Sequence, residues 1–570
     1  MNRSVATLLF LLALIPCFGF AQTRTDWLDI KNKAVKDVRN YGVKGNGITD
    51  DWNALKSAFE AGGLIVIPPD LDILIDAPDG FMGQICISKD THIINLGSTI
   101  TQKSDGGAYA LNMLGFETTA DNISVTLENI KVDGANAAHV GIRVSCQNFS
   151  GGIVRISGCS IKNLAGGSRP YSSSGIAVYG LFDIVEIDSN TIKSVSRTTD
   201  TGSVGSQSAT GVSVTQATGV TKITGNNIND IFSNASVSWV DADAIAVFAA
   251  SATAVLEKPH SALISGNMVT NFSGRAVKLQ TPGATVHGNT FRCLTGTTAA
   301  NSNFIDAQVG RVIATNNTIF VDTAVTPGSS MSIFAGSGRY ENHRVFTFVD
   351  NVILLEATVP YGVVIANDGL ATTEVNCSGN SFRLSGALQA VRFLKTATTA
   401  DLFPTTCKIN GNKFSFSGTY QTVDLLYVGG AYFTDSSRAN TYSFDVTNNV
   451  VDVRSTTFNA GYILYGDFTD AIYAGWIRIN GNSGWRNGVR YTPQFAQILP
   501  ESSFYFNGNA SYTFWSEIPN VGGRNNLQII KDTYGHVRLA SATISTYTEY
   551  VGYAPPPFPL ASWTWQQVSP

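Results

Sequence analysis

Charge is scarce in this chain. Only 14% of its 570 residues are Asp, Glu, Lys or Arg, and 38 bases against 42 acids leave a formal net charge of −4. A nucleic-acid-binding surface needs a basic face, so that class is set aside. The cysteines are scattered, with neither a CxxC pair nor a zinc-type spacing, which leaves no redox or metal motif. Past the N-terminus no apolar run is long enough to span a bilayer, so no membrane span is expected. Helical periodicity is missing from the middle of the chain. What is plentiful is Gly, at 54 residues, together with Ser, Thr and Asn. Short strands joined by tight corners require that composition.

A phrase recurs. Residues 185–291 contain VEIDSNTI, TKITGNNI, ALISGNMV and ATVHGNTF, and the pattern returns in VTLENI, VRISGCSI, VIATNNTI, FVDNVI, NCSGNSF, CKINGNKF, DVTNNVV and IRINGN. Each is a short alternating apolar run, a small or acidic residue, Asn, and another apolar residue. Spacings of roughly twenty to forty residues mark a solenoid. Between copies lies a second strand-like run, such as SGIAVYG, TGVSVTQ, DAIAVFA, RAVKLQ, NFIDAQ and YGVVIAND, alternating at the β period. One unit of at least two short strands cannot bury its apolar side alone, but stacked units can. Asn at the corner tolerates left-handed backbone, and its amide can bond the same amide one turn along. The expected fold is all-β: a right-handed single-stranded parallel β-helix of about twelve turns, each about 4.8 Å high.

The boundaries follow. Residues 1–21 read as a secretory signal, with Arg3, the apolar run ATLLFLLALIP and a Gly19-Phe20-Ala21 cleavage site. Residues 22–70 form an N-terminal segment with a short capping helix, in which Trp52, Leu55, Ala58 and Phe59 recur at helical spacing after Thr49, Asp50 and Asp51. The β-helix spans 71–486, and 487–570, richer in aromatics, form a C-terminal β cap or small β-domain. Polar loops are expected at 194–210, 326–339 and 395–406. Cys86, Cys146, Cys159, Cys293, Cys377 and Cys407 are expected as small buried residues of the stack. A Cys377–Cys407 bridge between neighbouring turns is the alternative. His139, His260 and His287 are expected in or next to turns.

The N-terminal pattern Val38-Arg39-x-Tyr41-Gly42-x-Lys44-Gly45-x-Gly47-x-Thr49-Asp50-Asp51, followed by Ala54, Ala58, Gly63 and Pro68, resembles the opening of pectate-lyase-superfamily β-helices. That superfamily includes polysaccharide lyases, polygalacturonase-like hydrolases and bacteriophage tailspikes, so the resemblance implies a carbohydrate partner. Its Asp pair reads as a helix start. The stretch WVDADAIAVF is similar to the acidic D-A-I strand of hydrolytic β-helices, without the adjacent Asp pair and later Gly-His of polygalacturonases. Residues 562–568, SWTWQQV, resemble the closing strand of knob domains at the ends of phage tail fibres and spikes.

Side chains on the outside of a β-helix line up in files, one per turn. When the second strands are aligned on their apolar positions, one outward file reads Arg143, Ala177, Ser213, Ala246, Lys278, Asp306, and the next reads Tyr179, Thr215, Phe248, Gln280, Gln308. Lys278 and Asp306 then sit side by side on adjacent turns, with Asp243 and Arg275 as stacked neighbours. Parity puts Asp241, Asp243 and Arg275 on the side of the inward Ile245 and Val277, so they belong to the preceding corner or are buried. The candidate catalytic residues are Asp241, Asp243, Arg275, Lys278 and Asp306. Trp239, Phe248, Gln280, Gln308 and Arg143 are the candidate substrate-binding residues, and Tyr427, Tyr432, Tyr462, Trp476 and Trp485 can extend a groove.

Two chemistries fit these residues. A glycoside hydrolase needs two carboxylates, which Asp241 or Asp243 with Asp306 can supply. A lyase on a uronic acid needs a cation to neutralise the substrate, here Arg275, and a base, here Lys278. No cofactor is expected; a calcium ion would use Asp241 and Asp243, short of the about six to eight oxygens it prefers. The bland reading of the same residues is a set of structural ion pairs. The first functional expectation is a secreted or periplasmic, monomeric, polysaccharide-cleaving β-helix. The alternatives are a homotrimeric phage tailspike on a virion tail, binding and depolymerising a surface glycan, and a non-catalytic glycan-binding or polysaccharide-assembly protein.

Overall fold

The computed structural model describes residues 35–78, 84–103, 110–166, 172–197, 208–215, 219–233, 242–248, 261–297, 303–308, 310–337, 343–367, 372–395, 405–416, 423–429 and 442–451. Beyond these it describes residue 482 and the strands at 462–467, 476–480, 487–492, 503–507, 516–518, 526–531, 537–543, 546–552 and 565–568. The chain is a right-handed parallel β-solenoid. Each turn has three strands, where the sequence showed at least two. Ile184–Asp188, Thr191–Arg197 and Ala209–Thr215 make one turn, and each pairs in parallel with its counterparts above and below. The three strand types build sheets called here A, B and C. Among the described residues sheet A has 16 strands and sheet B 14, so there are more turns than the sequence phrases suggest. Alternate residues point into a core of stacked Ile, Val and Phe, exemplified by the Phe382 and Phe414 rings, 4.9 Å apart on successive turns. Each such side chain contributes about 1.5–3 kcal/mol on burial.

The corner between sheets A and B divides its work between two residues. The left-handed backbone is adopted by the residue before the Asn: Ser189, Gly225, Gly266, Gly288, Asn316, Asp350, Gly379, Gly411 and Asn448 all have positive φ. The Asn itself turns inward and is buried. Its Oδ1 accepts the backbone N–H and the side-chain Nδ2 of the Asn one turn earlier, and its own Nδ2 donates onward and to a carbonyl of the preceding turn. Thus Asn289 N and Nδ2 lie 3.0 and 2.9 Å from Asn317 Oδ1, and Asn317 Nδ2 reaches Val286 O at 2.9 Å. Among the described residues the ladder runs from Asn190 to Asn482. Its first acceptor is met by Cys159, whose backbone N–H donates to Asn190 Oδ1 at 2.9 Å. One turn earlier still, Ile130 rather than Asn129 occupies the inward place, and Asn129 has the positive φ.

The helix lies inside the first turn. Strands Lys36–Asp37 and Asn46–Asp50 already belong to sheets A and B, and the helix Trp52–Glu60 stands where later turns carry a sheet C strand. Trp52, Leu55, Ala58 and Phe59 are buried, and the Phe59 ring is 5.8 Å from that of Phe116. Lys56 Nζ donates to Gln84 O, and the Cys86 N–H to Glu60 Oε1, tying the helix over the first sheet C strand, Ile85–Ile87. Asp50 accepts the Trp52 N–H. Asp51 instead holds the glycine loop before the helix, accepting the N–H groups of Lys44 and Gly45 at 2.7 and 2.8 Å. At the other end sheet C turns antiparallel after Ser516–Ile518 and finishes with Trp565–Val568.

Several local expectations change. Ser332–Ser337, read as loop, is a sheet C strand, because Ile333 and Phe334 enter the core between small residues. Of 194–210, the ends are strands with Arg197 fully buried, and 198–207 lie outside the described residues. Of 395–406, Lys395 ends one strand, Thr405 and Thr406 begin another, and 396–404 lie outside. His139 is fully buried within strand Ala138–Ser150, whereas His287 is exposed at a strand end. Cys377 and Cys407 are free thiols, paired across the sheet with Ile409 and Val375 rather than with each other, and Cys86 is exposed. The signal-like residues 1–21, His260, Tyr432 and Trp485 lie outside the described residues.

Candidate functional site

The site grows from a slip in the alternation of sheet C. In strand Ala242–Phe248, Ala244 and Ile245 both enter the core, as do Ala276 and Val277, Phe304 and Ile305, and Ile333 and Phe334 in the next turns. Two consecutive inward residues shift the parity of everything before them. Asp243 and Arg275 therefore share the outer face with Ala246 and Lys278 instead of facing the core. Two files result. One reads Asp243, Arg275, Asn303, Ser332, Tyr361, Gln389, Asp424; the other reads Ala246, Lys278, Asp306, Ala335, Val364, Arg392, Tyr427.

At the upstream end the files join in an ion-pair cluster. Arg275 Nη1 is 3.3 Å from Asp243 Oδ1, and its Nε is 2.6 Å from Asp306 Oδ2. Lys278 Nζ is 3.9 Å from Asp243 Oδ2 and 5.3 Å from the centroid of Phe248. Gln308 Nε2 donates to Asp306 Oδ2 at 2.9 Å, and Gln280 Nε2 to Gln308 Oε1 at 2.6 Å, so two amide dipoles point toward Asp306. Asp243 is fully buried, and Lys278 and Asp306 are 7% and 4% exposed. Two acids and two bases thus neutralise one another with little solvent between them, where each pairing is stronger than on an open surface.

Asp243, Arg275, Lys278, Asp306, Phe248, Gln280 and Gln308 are thus brought together. Arg143 stands in the Lys278 file but four strands upstream, about 19 Å away at strand spacing. There it neighbours Glu117 and Tyr179; burial pushes its pKa down while the field of Glu117 opposes the shift. Trp239 and Asp241 lie outside the described residues. Among the described residues no group of three or more His, Cys, Asp or Glu side chains could hold a metal ion. No described helix is long and apolar enough to cross a membrane.

Further along the same two files is a group that sequence reading touched only at Tyr427. Arg392 lies with its guanidinium carbon 4.4 Å from the Tyr361 ring centroid and 4.9 Å from that of Tyr427. Continuing the apolar alignment through SIFAGS, YGVVIAN and LQAVRFLK would have placed all three on the outer face. The parallel misreading of SIFAGS as loop broke that count.

No family model matches the sequence, and no curated protein matches it. Among solved structures, the tailspike protein of E. coli bacteriophage HK620, in complex with a pentasaccharide, is similar over 91% of this chain and 85% of its own, at 14% identity and a TM-score of 0.40. The A-module of the Azotobacter vinelandii mannuronan C-5 epimerase AlgE6 is similar over 84% and 99%, at 12% identity and a TM-score of 0.31. PfbA, a surface adhesin of Streptococcus pneumoniae, is similar over 89% and 100%, at 13% identity and a TM-score of 0.29. These likenesses concern the course of the backbone, and no residue role passes from them to this chain.

Proposed function

We propose that this protein is a glycan-recognising spike that works outside the cell, as a homotrimer, and lays a surface polysaccharide along the outer face of sheet C. The observation that carries this reading is the outer face of sheet C, where charged, amide and aromatic side chains stand together on a rigid sheet: Asp306 and Lys278 in one file with Gln308 and Phe248 beside them, then Arg392 and Tyr427 further along that file. A sugar chain offers hydroxyls to the polar members and C–H faces to the rings. A rigid support holds those groups without a large ordering cost on binding.

A second reading, cleavage of the same glycan, is favoured by one feature: Asp243 and Asp306 contact the two sides of a single guanidinium. Glycoside hydrolysis uses two carboxylates, one protonating the leaving oxygen and the other attacking or activating water. The eliminative route is less well served. Arg275 is already held by two carboxylates and Lys278 lies against a third oxygen, so neither is poised to receive a substrate carboxylate or its α-proton.

The test is incubation of the full chain with a panel of purified bacterial surface polysaccharides, reading binding, reducing ends and ultraviolet absorbance. Binding with a trimeric solution mass supports the spike. New reducing ends without absorbance, abolished in Asp306→Asn, support hydrolysis, and growth of absorbance would support elimination instead. Absence of binding to every member would refute the glycan reading.

A further inference from the structure

We infer that Tyr361, Arg392 and Tyr427 form a second sugar subsite, selective for a carboxylate-bearing residue, on the same face as Asp306 and three strands downstream of it. The inference rests on the reading of sheet C as the glycan face.

Arg392 differs from Arg275 in its surroundings. Arg275 lies between two carboxylates. Among the described residues no carboxylate lies within ion-pair distance of Arg392. Its hydrogen bond there is from Nη1 to Gln389 Oε1 at 3.3 Å, a neutral partner. The charge is steadied instead by the two tyrosine rings, at 4.4 and 4.9 Å. Cation–π contact fixes a guanidinium plane without consuming its donors, because the rings meet its faces and the N–H groups lie at its edge. Arg392, Tyr361, Tyr427 and Gln389 are all neither buried nor fully exposed, so the group is both held and accessible. A planar cation with donors in reserve, flanked by aromatic faces, matches a sugar that carries a carboxylate: the fork pairs with the two oxygens and a ring receives the pyranose face.

The path between the two groups supports a continuous chain. From Asp306 the file passes Ala335 and Val364 before reaching Arg392, a distance of about 14 Å at strand spacing. The parallel file passes Asn303 and Ser332, joined by a 2.6 Å hydrogen bond from Ser332 Oγ to Asn303 Oδ1, and then Tyr361. The floor is thus small and uncharged, with a polar cluster at one end and an aromatic-flanked cation at the other. An oligosaccharide that spans it would meet Asp306 and Arg392 at different sugar residues.

The test uses matched pairs of polysaccharides, polygalacturonate, alginate and acidic capsular or lipopolysaccharide O-chains, each beside its carboxyl-reduced form. The wild type is expected to prefer the acidic member of the pairs it binds, by about ten- to hundredfold in affinity. Arg392→Met should erase that preference by weakening binding of the acidic member far more than binding of its reduced form. Arg392→Lys, which keeps the charge over the rings but not the planar fork, should keep the fold and lose most of the preference. Equal wild-type affinity for both members of every bound pair overturns the inference, as does full preference in Arg392→Met, or an equal loss for both members in a variant with an unchanged unfolding midpoint. Each of these leaves the glycan reading standing. Failure of the wild type to bind any member overturns both.

Discussion

Arg275 reaches across to the next turn, its Nε 2.6 Å from Oδ2 of Asp306, while its Nη1 holds the fully buried Asp243 on the turn before. Three successive turns are therefore clasped through one guanidinium, on the face proposed to bind glycan.

Removing Asp243 leaves Arg275 and Lys278 short of a shared counter-charge in a site with little water. Asp243→Ala is expected to destabilise the fold by about 3–5 kcal/mol. The exposed Arg155–Glu186 pair, with side chains 48% and 26% accessible at 2.7 Å, is the control: Glu186→Ala should cost under about 1 kcal/mol. Denaturant midpoints of the two variants check the contrast. Equal losses would show that burial of the cluster contributes nothing.

The asparagine ladder predicts a loss at an interior rung and a gain at its upstream end. Asn317→Ala strips the acceptor from the backbone N–H and Nδ2 of Asn289 and should cost about 2–4 kcal/mol. Cys159→Asn is expected to do the reverse. Cys159 already donates its N–H to Asn190, and its Sγ lies 3.8 Å from Leu127 O, the counterpart of the carbonyl that Asn190 uses. An amide there should add a rung and raise the unfolding midpoint, by about 1 kcal/mol in stability.

The buried thiols make stability fall at high pH. Burial pushes the pKa of Cys377 and of Cys159 up to about 12 and that of Cys293 to about 11; burial, with Cys377 and Asp445 beside it, also holds Cys407 well above the usual thiol range. An unfolded thiol titrates near about 8.5. Below that pH both states hold the proton and no stability is lost. Above it the unfolded chain releases protons that the folded chain retains, so stability should decline from about pH 8.5 upward. Thiol labelling at pH 8 should modify the exposed Cys86 quickly, and these four only after denaturant is added. Rapid labelling of Cys377 in the native protein would contradict this burial.

The solenoid was legible because its corner phrase keeps a fixed chemistry, and the neighbour relations of Lys278 with Asp306 and of Asp243 with Arg275 followed from aligning Ile245, Val277 and Ile305. The third strand of each turn was not. Sheet B strands such as Lys131–Asp133 and Thr318–Val321 begin immediately after the inward corner residue and carry only one or two core side chains, so they read as part of the corner. The outward aim of Asp243 was hidden for a different reason. Strict alternation put it with Ile245, and only the packing of Ala244 beside Ile245 reveals the slip. Arg392 escaped notice because Ser332–Ser337, rich in Ser and Gly, conceals the Ile333-Phe334 pair that continues the count.

The most direct test of sheet C as the glycan face is hydroxyl-radical footprinting of the full chain with and without a polysaccharide that it binds. Protection is expected at Phe248, Tyr361, Arg392 and Tyr427, with the outer face of sheet A, including Glu186 and Lys222, unchanged. Protection confined to sheet A or sheet B, with those four residues as reactive as in the free protein, would contradict the account.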